Sequence, residues 1–139
     1  MEGLYIESSA LTSILLEDSR EFDAALESVN RPILSALTLL EARRAIRRDS
    51  RAGRIDAQAA TKLLRRIRSL RTRSQVLPID DHVLEQAEQD FHVEPVRSLD
   101  AIHLATALIW SANIGPVRVA SIDRRIRQNA VALGFPVVP

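Results

Sequence analysis

The chain has 139 residues, of which 46% are apolar and 27% charged, so it can form a core and has room for one domain of ordinary size. It contains no cysteine, which excludes disulfides and thiolate metal sites and suits a reducing, cytoplasmic setting. No apolar run approaches the ~20 residues that cross a bilayer. The opening MEGLYIESSAL lacks the basic start and apolar block of a secretory signal.

The net charge of +1 hides a strong segregation of charge along the sequence. Residues 41–75 contain 12 lysines and arginines against three acids, a local charge of +9, so the rest of the chain carries −8. Lys62 is the only lysine, and arginine pairs with phosphate in a two-pronged geometry that lysine lacks. This stretch is either a solvated helix face or a surface for a nucleic acid or an acidic partner.

Short β-type runs alternate with helical periodicity from one end of the chain to the other. In chain order, the sequence predicts a strand over 4–6, helices over 8–17 and 19–28, a strand over 33–35, helices over 38–51 and 55–70, a strand over 76–79, helices over 80–91 and 99–111, a strand over 117–122, a helix over 123–133 and a strand over 136–138. Pro78 marks the third strand as short or at an edge. The alternation indicates an α/β fold, a single domain over 1–139 with a mostly parallel sheet and helices on both faces.

Helix starts are marked by residues whose side chains accept hydrogen bonds from free backbone N–H groups. The predicted N-terminal signals are Ser8 or Ser9, the pair Thr38 and Glu41 as a capping box, Asp56, Asp80 or Asp81, Ser98 and Asp123.

Four acids occupy equivalent places in this pattern. Glu7 and Asp123 each follow a strand and precede a helix, while Glu41 and Asp100 lie in the first turn of a helix. Carboxyl ends of parallel strands and amino ends of the following helices share one edge of a sheet, where sites form. Taken singly, Glu41 and Asp123 are explained by capping, Asp100 by the helix dipole, and Glu7 as a surface acid at a strand end. Taken together, they would repel one another, and a hard divalent cation such as Mg²⁺ would remove the conflict.

Four segments resemble the PIN-domain family, in particular the VapC-type toxin ribonucleases of toxin–antitoxin pairs. The segments are 5–11 (YIESSAL), 35–41 (SALTLLE), 98–107 (SLDAIHLATA) and 120–125 (ASIDRR). The resemblance implies a PIN-like sheet flanked by helices, Mg²⁺- or Mn²⁺-dependent endoribonuclease activity, a homodimer and inhibition by a small VapB-like antitoxin. By position, Glu7, Glu41, Asp100 and Asp123 take the catalytic roles, with Glu7 and Asp100 as the direct metal ligands.

Glu7 departs from the family, which usually has aspartate there. Glutamate keeps the charge but adds a methylene, and Mg²⁺ tolerates little geometric error. We therefore weigh an active ribonuclease against a PIN-like binding module that holds an antitoxin or RNA without cutting. A different magnesium-dependent phosphotransferase or phosphatase is a third reading, but the sequence lacks a strand-end Asp-x-Asp motif and a glycine-rich phosphate loop.

Other polar residues near the acids have more than one interpretation. The expected mechanism is metal-assisted attack of water on a phosphate, leaving a 5′-phosphate and a 3′-hydroxyl, with Glu41 or Asp123 accepting the water's proton. Ser8, Ser9 and Ser121 can orient a carboxylate or simply cap helices. His103, three residues after Asp100, is a catalytic imidazole or a packed, supporting histidine, and packing is the commoner case.

Overall fold

The computed structural model describes residues 2–139, and every predicted strand and helix is present within them. The elements are β1 (Gly3–Ile6), α1 (Ser8–Glu17), α2 (Arg20–Glu27), β2 (Ile33–Ser35), α3 (Ala36–Arg51), α4 (Ala57–Arg73), β3 (Gln75–Leu77), α5 (Asp81–Ala87), α6 (Ser98–Asn113), β4 (Val117–Ala120), α7 (Arg124–Ala132) and β5 (Val137–Val138). None of these helices is long and apolar enough to span a membrane.

The five strands form one sheet in the order β3-β2-β1-β4-β5, and every pairing is parallel. The central strand β1 pairs with β2 through Tyr5 and Ile33 and with β4 from Gly3–Val117 to Ile6–Ala120. The predicted α/β class is confirmed, and β3 is at an edge, as Pro78 indicated. The carboxyl ends of β1 and β4 are therefore adjacent, which brings the residues after them together.

Each face of the sheet is covered by its own set of helices. Successive side chains of a strand point to opposite faces, so Leu4 and Ile6 of β1 pack with α1, α2, α3 and α4, whereas Tyr5 packs with α6 and α7. The prediction of helices on both faces is confirmed. The sheet interior is thus buried from both sides, and its carboxyl edge is left for a site.

Three predicted helix caps are wrong, because a different residue occupies the N-cap position in each helix. Glu7, not Ser8 or Ser9, caps α1 by accepting from Ser9 N. The capping box of α3 is formed by Ser35 and Thr38, so the helix begins earlier than a Thr38–Glu41 box requires. Position 97 is the N-cap of α6 and makes no side-chain cap bond, so Ser98 is already helical. The caps by Asp56, Asp80 and Asp123 are confirmed.

Some predicted ends are also wrong. Helix α5 stops at Ala87 rather than at 91, since the Glu94 carboxylate accepts from the backbone N–H groups of Phe91 and Val96 and fixes a loop there. Strand β4 stops at Ala120 rather than at 122, because Ser121 Oγ accepts from Asp123 N and turns the chain. In contrast, α4 continues to Arg73, past the predicted end at 70.

Candidate active site

Glu7 is a buried carboxylate at the end of the central strand. Its side chain is 5% exposed, so its charge needs partners. Ser9 supplies two, from its backbone N–H at 3.0 Å to Oε2 and from its hydroxyl at 2.5 Å to Oε1. Ser121, which follows β4, donates its hydroxyl to the same Oε1 at 2.6 Å. The carboxylate is therefore anchored from two neighbouring strand ends.

Glu41 is held from the opposite side of the site by α1 and α6. Ser8 Oγ donates to Glu41 Oε1 at 2.6 Å, and His103 Nε2 lies 2.7 Å from the same oxygen. Burial raises the pKa of the Glu41 carboxyl, but the hydrogen bonds from His103 and Ser8 outweigh that effect and the pKa is lowered overall. Glu41 is consequently ionised at neutral pH.

Asp100 and Asp123 form a second pair, and an arginine lies against both. Asp123 Oδ1 caps α7 by accepting from Ile126 N at 2.9 Å. Arg97 Nε donates to Asp100 Oδ2 at 3.3 Å, and another guanidinium nitrogen lies 3.8 Å from Asp123 Oδ2. The Arg97 side chain is 83% exposed, so this contact is weak in water.

The four predicted acids are brought to the same region of the carboxyl edge as two linked pairs. His103 Nε2 contacts Glu41 at 2.7 Å and lies 4.0 Å from Glu7 Oε2, and Arg97 joins the two aspartates. Burial raises the pKa of Asp100, the negative charges of Asp123 and Glu7 raise it further, and Arg97 offsets only part of the rise. The region thus has an excess of negative charge.

The donor set fits a hard divalent cation, although no ready-made cage exists. Within residues 2–139, no three histidine, aspartate or glutamate side chains are close enough together to hold a metal ion as they stand. Glu7 and Glu41 accept hydrogen bonds from serine hydroxyls, and Glu41 also contacts the His103 imidazole. The other two acids, Asp100 and Asp123, contact Arg97. Mg²⁺ needs only oxygen ligands, is held by few carboxylates and retains several waters. Burial is the main cause of the raised pKa of Asp100, and the charges of Asp123 and Glu7 add to it, so a cation bound here would stabilise the ionised carboxylate.

Two residues of the site gave no signal in the sequence. Tyr5 is in the middle of an apolar strand, yet its hydroxyl lies 2.6 Å from His103 Nδ1, across 98 positions of sequence. Arg97 lies in a predicted loop, and only the fold brings it against Asp123. Spacing could have suggested its pairing with Asp100, three residues later, but not the bridge between two acids.

A parallel sheet covered on both faces, with carboxylates at its carboxyl edge, defines an α/β protein with a candidate site at that edge. The chain belongs to the PIN domain family, whose profile matches residues 4–132. The predicted family membership is confirmed.

Two relatives from Mycobacterium tuberculosis match nearly the whole chain. Ribonuclease VapC46 is 31% identical over 99% of this chain and 98% of its own length. Ribonuclease VapC35 is 33% identical over 97% of this chain and 95% of its own length. Both relatives are named VapC, the type of ribonuclease that the four sequence segments resemble.

Solved structures share the fold at low sequence identity. FitAcB from Neisseria gonorrhoeae superposes with a TM-score of 0.72 at 20% identity, covering 98% of this chain and 96% of that one. A toxin–antitoxin complex from Klebsiella pneumoniae gives 0.66 at 18% identity, covering 99% and 96%. The sarcin-ricin loop cleaving toxin VapC20 of M. tuberculosis gives 0.67 at 17% identity, covering 99% and 100%. These likenesses establish the fold alone.

Proposed function

We propose that this chain is the toxin ribonuclease of a toxin–antitoxin pair and hydrolyses phosphodiester bonds of RNA. The observation that carries the proposal is the convergence of the four acids at the carboxyl edge of the sheet, in a PIN-domain chain whose relatives are named ribonucleases. Such a site attracts a divalent cation, and a cation beside carboxylates can assist phosphoryl chemistry.

Glu7 and Asp100 would hold the metal, Mg²⁺ or Mn²⁺, with Glu41 and Asp123 beside it. When bound, the cation supplies charge stabilisation for the reacting phosphate and lowers the pKa of water. Glu7 can serve despite its extra methylene, because Ser9 and Ser121 fix its carboxylate at the ends of β1 and β4.

The residues of this chain then orient the water and the phosphate. Glu41 is ionised, and within residues 2–139 its Oε2 has no hydrogen-bond donor, since Ser8 and His103 both bind Oε1. Oε2 can accept a hydrogen bond or a proton from the attacking water. Attack of water on phosphorus in line with the 3′-oxygen would break the bond to that oxygen, which takes up a proton, and would give a 5′-phosphate and a 3′-hydroxyl.

The arginine-rich helices α3 and α4 supply contacts to the RNA backbone. Arg44, Arg47 and Arg48 are exposed on the helix that carries Glu41. Among the described residues from 43 to 73, ion pairs involve only Arg54 with Asp49 and Arg66 with Asp23. Arg73 donates to Leu26 O, and the remaining arginines of this stretch can contact phosphates independently of base sequence.

The proposed partners are a small VapB-like antitoxin and a second copy of the chain. The Klebsiella neighbour is a toxin–antitoxin complex, and the neighbours FitAB and VapBC2 from Rickettsia felis were solved with DNA fragments. The antitoxin would inhibit the enzyme by covering the edge of the sheet that carries the four acids. Homodimerisation is a separate proposal, which a measurement of molecular mass in solution tests.

The competing function is a PIN-like module that binds without cutting because Glu7 misplaces the metal. The names of the relatives, which are ribonucleases, favour cutting. The two functions predict different effects of Glu7→Asp, which shortens the side chain, on RNA cleavage. In an impaired module, Glu7→Asp would create activity that the wild type lacks.

The test incubates purified protein with total RNA, with Mg²⁺ or Mn²⁺ and separately with EDTA. We expect metal-dependent cleavage that Asp100→Asn abolishes. Asp56→Asn is the matched control, since Asp56 is an exposed N-cap of α4 and asparagine caps equally well. Cleavage by Asp100→Asn at the wild-type rate would refute the metal site, and cleavage by Glu7→Asp alone would support the binding module.

A further inference from the structure

A hydrogen-bonded chain runs from two buried side chains in the core to a half-buried carboxylate in the candidate active site. It consists of Tyr5 on β1, His103 on α6 and Glu41 on α3, with Ser8 of α1 beside the last two. Tyr5 and His103 are 1% and 2% exposed, so neither can contact substrate directly. Buried polar groups that are fully paired fix one arrangement of the surrounding elements.

The hydrogen-bond donors in this chain can be assigned from chemistry. The ionised Glu41 carboxylate only accepts, so His103 Nε2, at 2.7 Å, carries a hydrogen and donates it. A tyrosine phenol carries its proton at neutral pH, so the Tyr5 hydroxyl is available as a donor. That O–H can donate to His103 Nδ1 at 2.6 Å, while the hydrogen on Nε2 faces Glu41.

The consequence is that one oxygen of Glu41 is fixed and the other is free. Both donors bind Oε1, and within the described residues Oε2 has none. A free glutamate side chain loses rotamer entropy when it is ordered. The hydrogen bonds from His103 and Ser8 already order the Glu41 side chain in the folded protein, so this entropy is not lost again when substrate binds.

We propose that His103 is a positioning residue, which Tyr5 holds in place and which orients Glu41 so that its Oε2 faces the reacting water. The inference rests on the proposed ribonuclease function. It extends that function to the buried residues Tyr5 and His103, which are not among the four acids. His103 is buried and does not contact substrate, so its removal should lower kcat and leave the KM for RNA unchanged.

The experiment compares three substitutions in the full chain. His103→Leu removes the donor, and we expect kcat to fall ~10- to 100-fold, the usual cost of losing a residue that orients a site carboxylate or ligand. His103→Gln keeps an N–H near the Nε2 position and should recover most of the loss. Thr106→Val is the matched control, since Thr106 is buried one turn further along α6 and bonds only Ile102 O. It should keep the wild-type kcat.

A second arm does not depend on activity. His82 and His92 are exposed, so their ring N–H protons exchange rapidly, whereas the buried Nε2–H of His103 should give a slowly exchanging NMR signal. Glu41→Ala should shift that signal. Its absence from the wild type, or its indifference to Glu41→Ala, would overturn the assigned contact.

The kinetic and NMR experiments together distinguish a failure of the positioning role of His103 from a failure of the proposed ribonuclease function. If the wild type cuts no RNA, the proposed function fails and the imidazole signal alone decides the contact. If the wild type cuts, a normal kcat in His103→Leu, a change confined to KM, or equal losses in the Leu and Gln variants would each overturn positioning. Tyr5→Phe supplies a further variant should His103→Leu fail to fold, and a kcat unchanged by it would count against the chain.

Discussion

Ser121 Oγ donates to Glu7 Oε1 at 2.6 Å, across 114 positions of sequence. The contact joins the residue after β4 to the residue after β1, and these strands are neighbours in the sheet. Ser121 is fully buried, and its oxygen also accepts from Asp123 N at 3.0 Å. One hydroxyl thus supports two of the four acids.

We therefore expect Ser121→Ala to lower the rate of RNA cleavage strongly, although it removes only one hydroxyl group. The change leaves the Asp123 N–H and one Glu7 lone pair without their partner, which costs ~1–3 kcal/mol of the free energy of unfolding. We expect RNA cleavage at saturating metal to fall ~10- to 100-fold, because the Glu7 carboxylate loses an anchor. Urea unfolding and cleavage rates measure the two effects separately.

Ser74→Ala is the control for that substitution. Ser74 is also buried, and its hydroxyl donates to Leu70 O on α4, away from the acids. It should lower stability and leave the cleavage rate per folded molecule unchanged. Equal losses of activity in both variants would mean that Ser121 acts through stability alone.

Arg97 should compete with a metal for Asp100 and Asp123. Its guanidinium lies 3.3 Å and 3.8 Å from their carboxylate oxygens. We expect Arg97→Ala to tighten Mn²⁺ binding by up to about fivefold, the scale of an exposed ion pair. Isothermal titration with Mn²⁺ measures the change. Arg71→Ala removes the same charge from the exposed end of α4 and should leave binding unaltered; equal tightening in both would indicate net charge rather than competition.

The sequence predicted the order of elements and the edge to which the acids come, since both follow from periodicity and the geometry of parallel sheets. It did not predict which residue caps each helix. Glu7 replaces Ser8 or Ser9 as the cap of α1, and Ser121, which follows β4, holds its carboxylate in place. The contact of Tyr5 with His103 and the bridge by Arg97 depend on packing between distant segments, which local patterns do not encode.

Gly3 gives a test of the packing beneath the site. A Cβ at this position of β1 would lie 2.5 Å from a ring carbon of Trp110 and 2.6 Å from Ile33 Cδ1. Gly3→Ala should lower the free energy of unfolding by ~1–3 kcal/mol, as overpacking does. Adding Trp110→Phe, which removes part of the clashing ring, should recover some of the loss in urea unfolding. Additive losses in the double variant would contradict this account.

Tyr5 makes stability depend on alkaline pH. Burial raises the pKa of its phenol above the ordinary value of 10.0, and the carboxylates of Glu7 and Glu41 add to the rise. The unfolded chain loses this proton near pH 10 and the folded chain does not, so the stabilisation is complete below pH 10 and declines as pH rises beyond it. The decline from this one group is about 1.4 kcal/mol per pH unit.

The measurement is direct, because Tyr5 is the only tyrosine in the chain. Tyrosinate absorbance near 295 nm (about the usual band for that ion) should appear only as the protein unfolds, and the two transitions should coincide when pH is raised. Tyr5→Phe should lack this contribution, so its unfolding free energy should fall less steeply than that of the wild type between pH 10 and 11. Tyrosinate absorbance that rises while the fold is intact would mean that water reaches the phenol, and the buried chain from Tyr5 through His103 to Glu41 would then lose its proton donor.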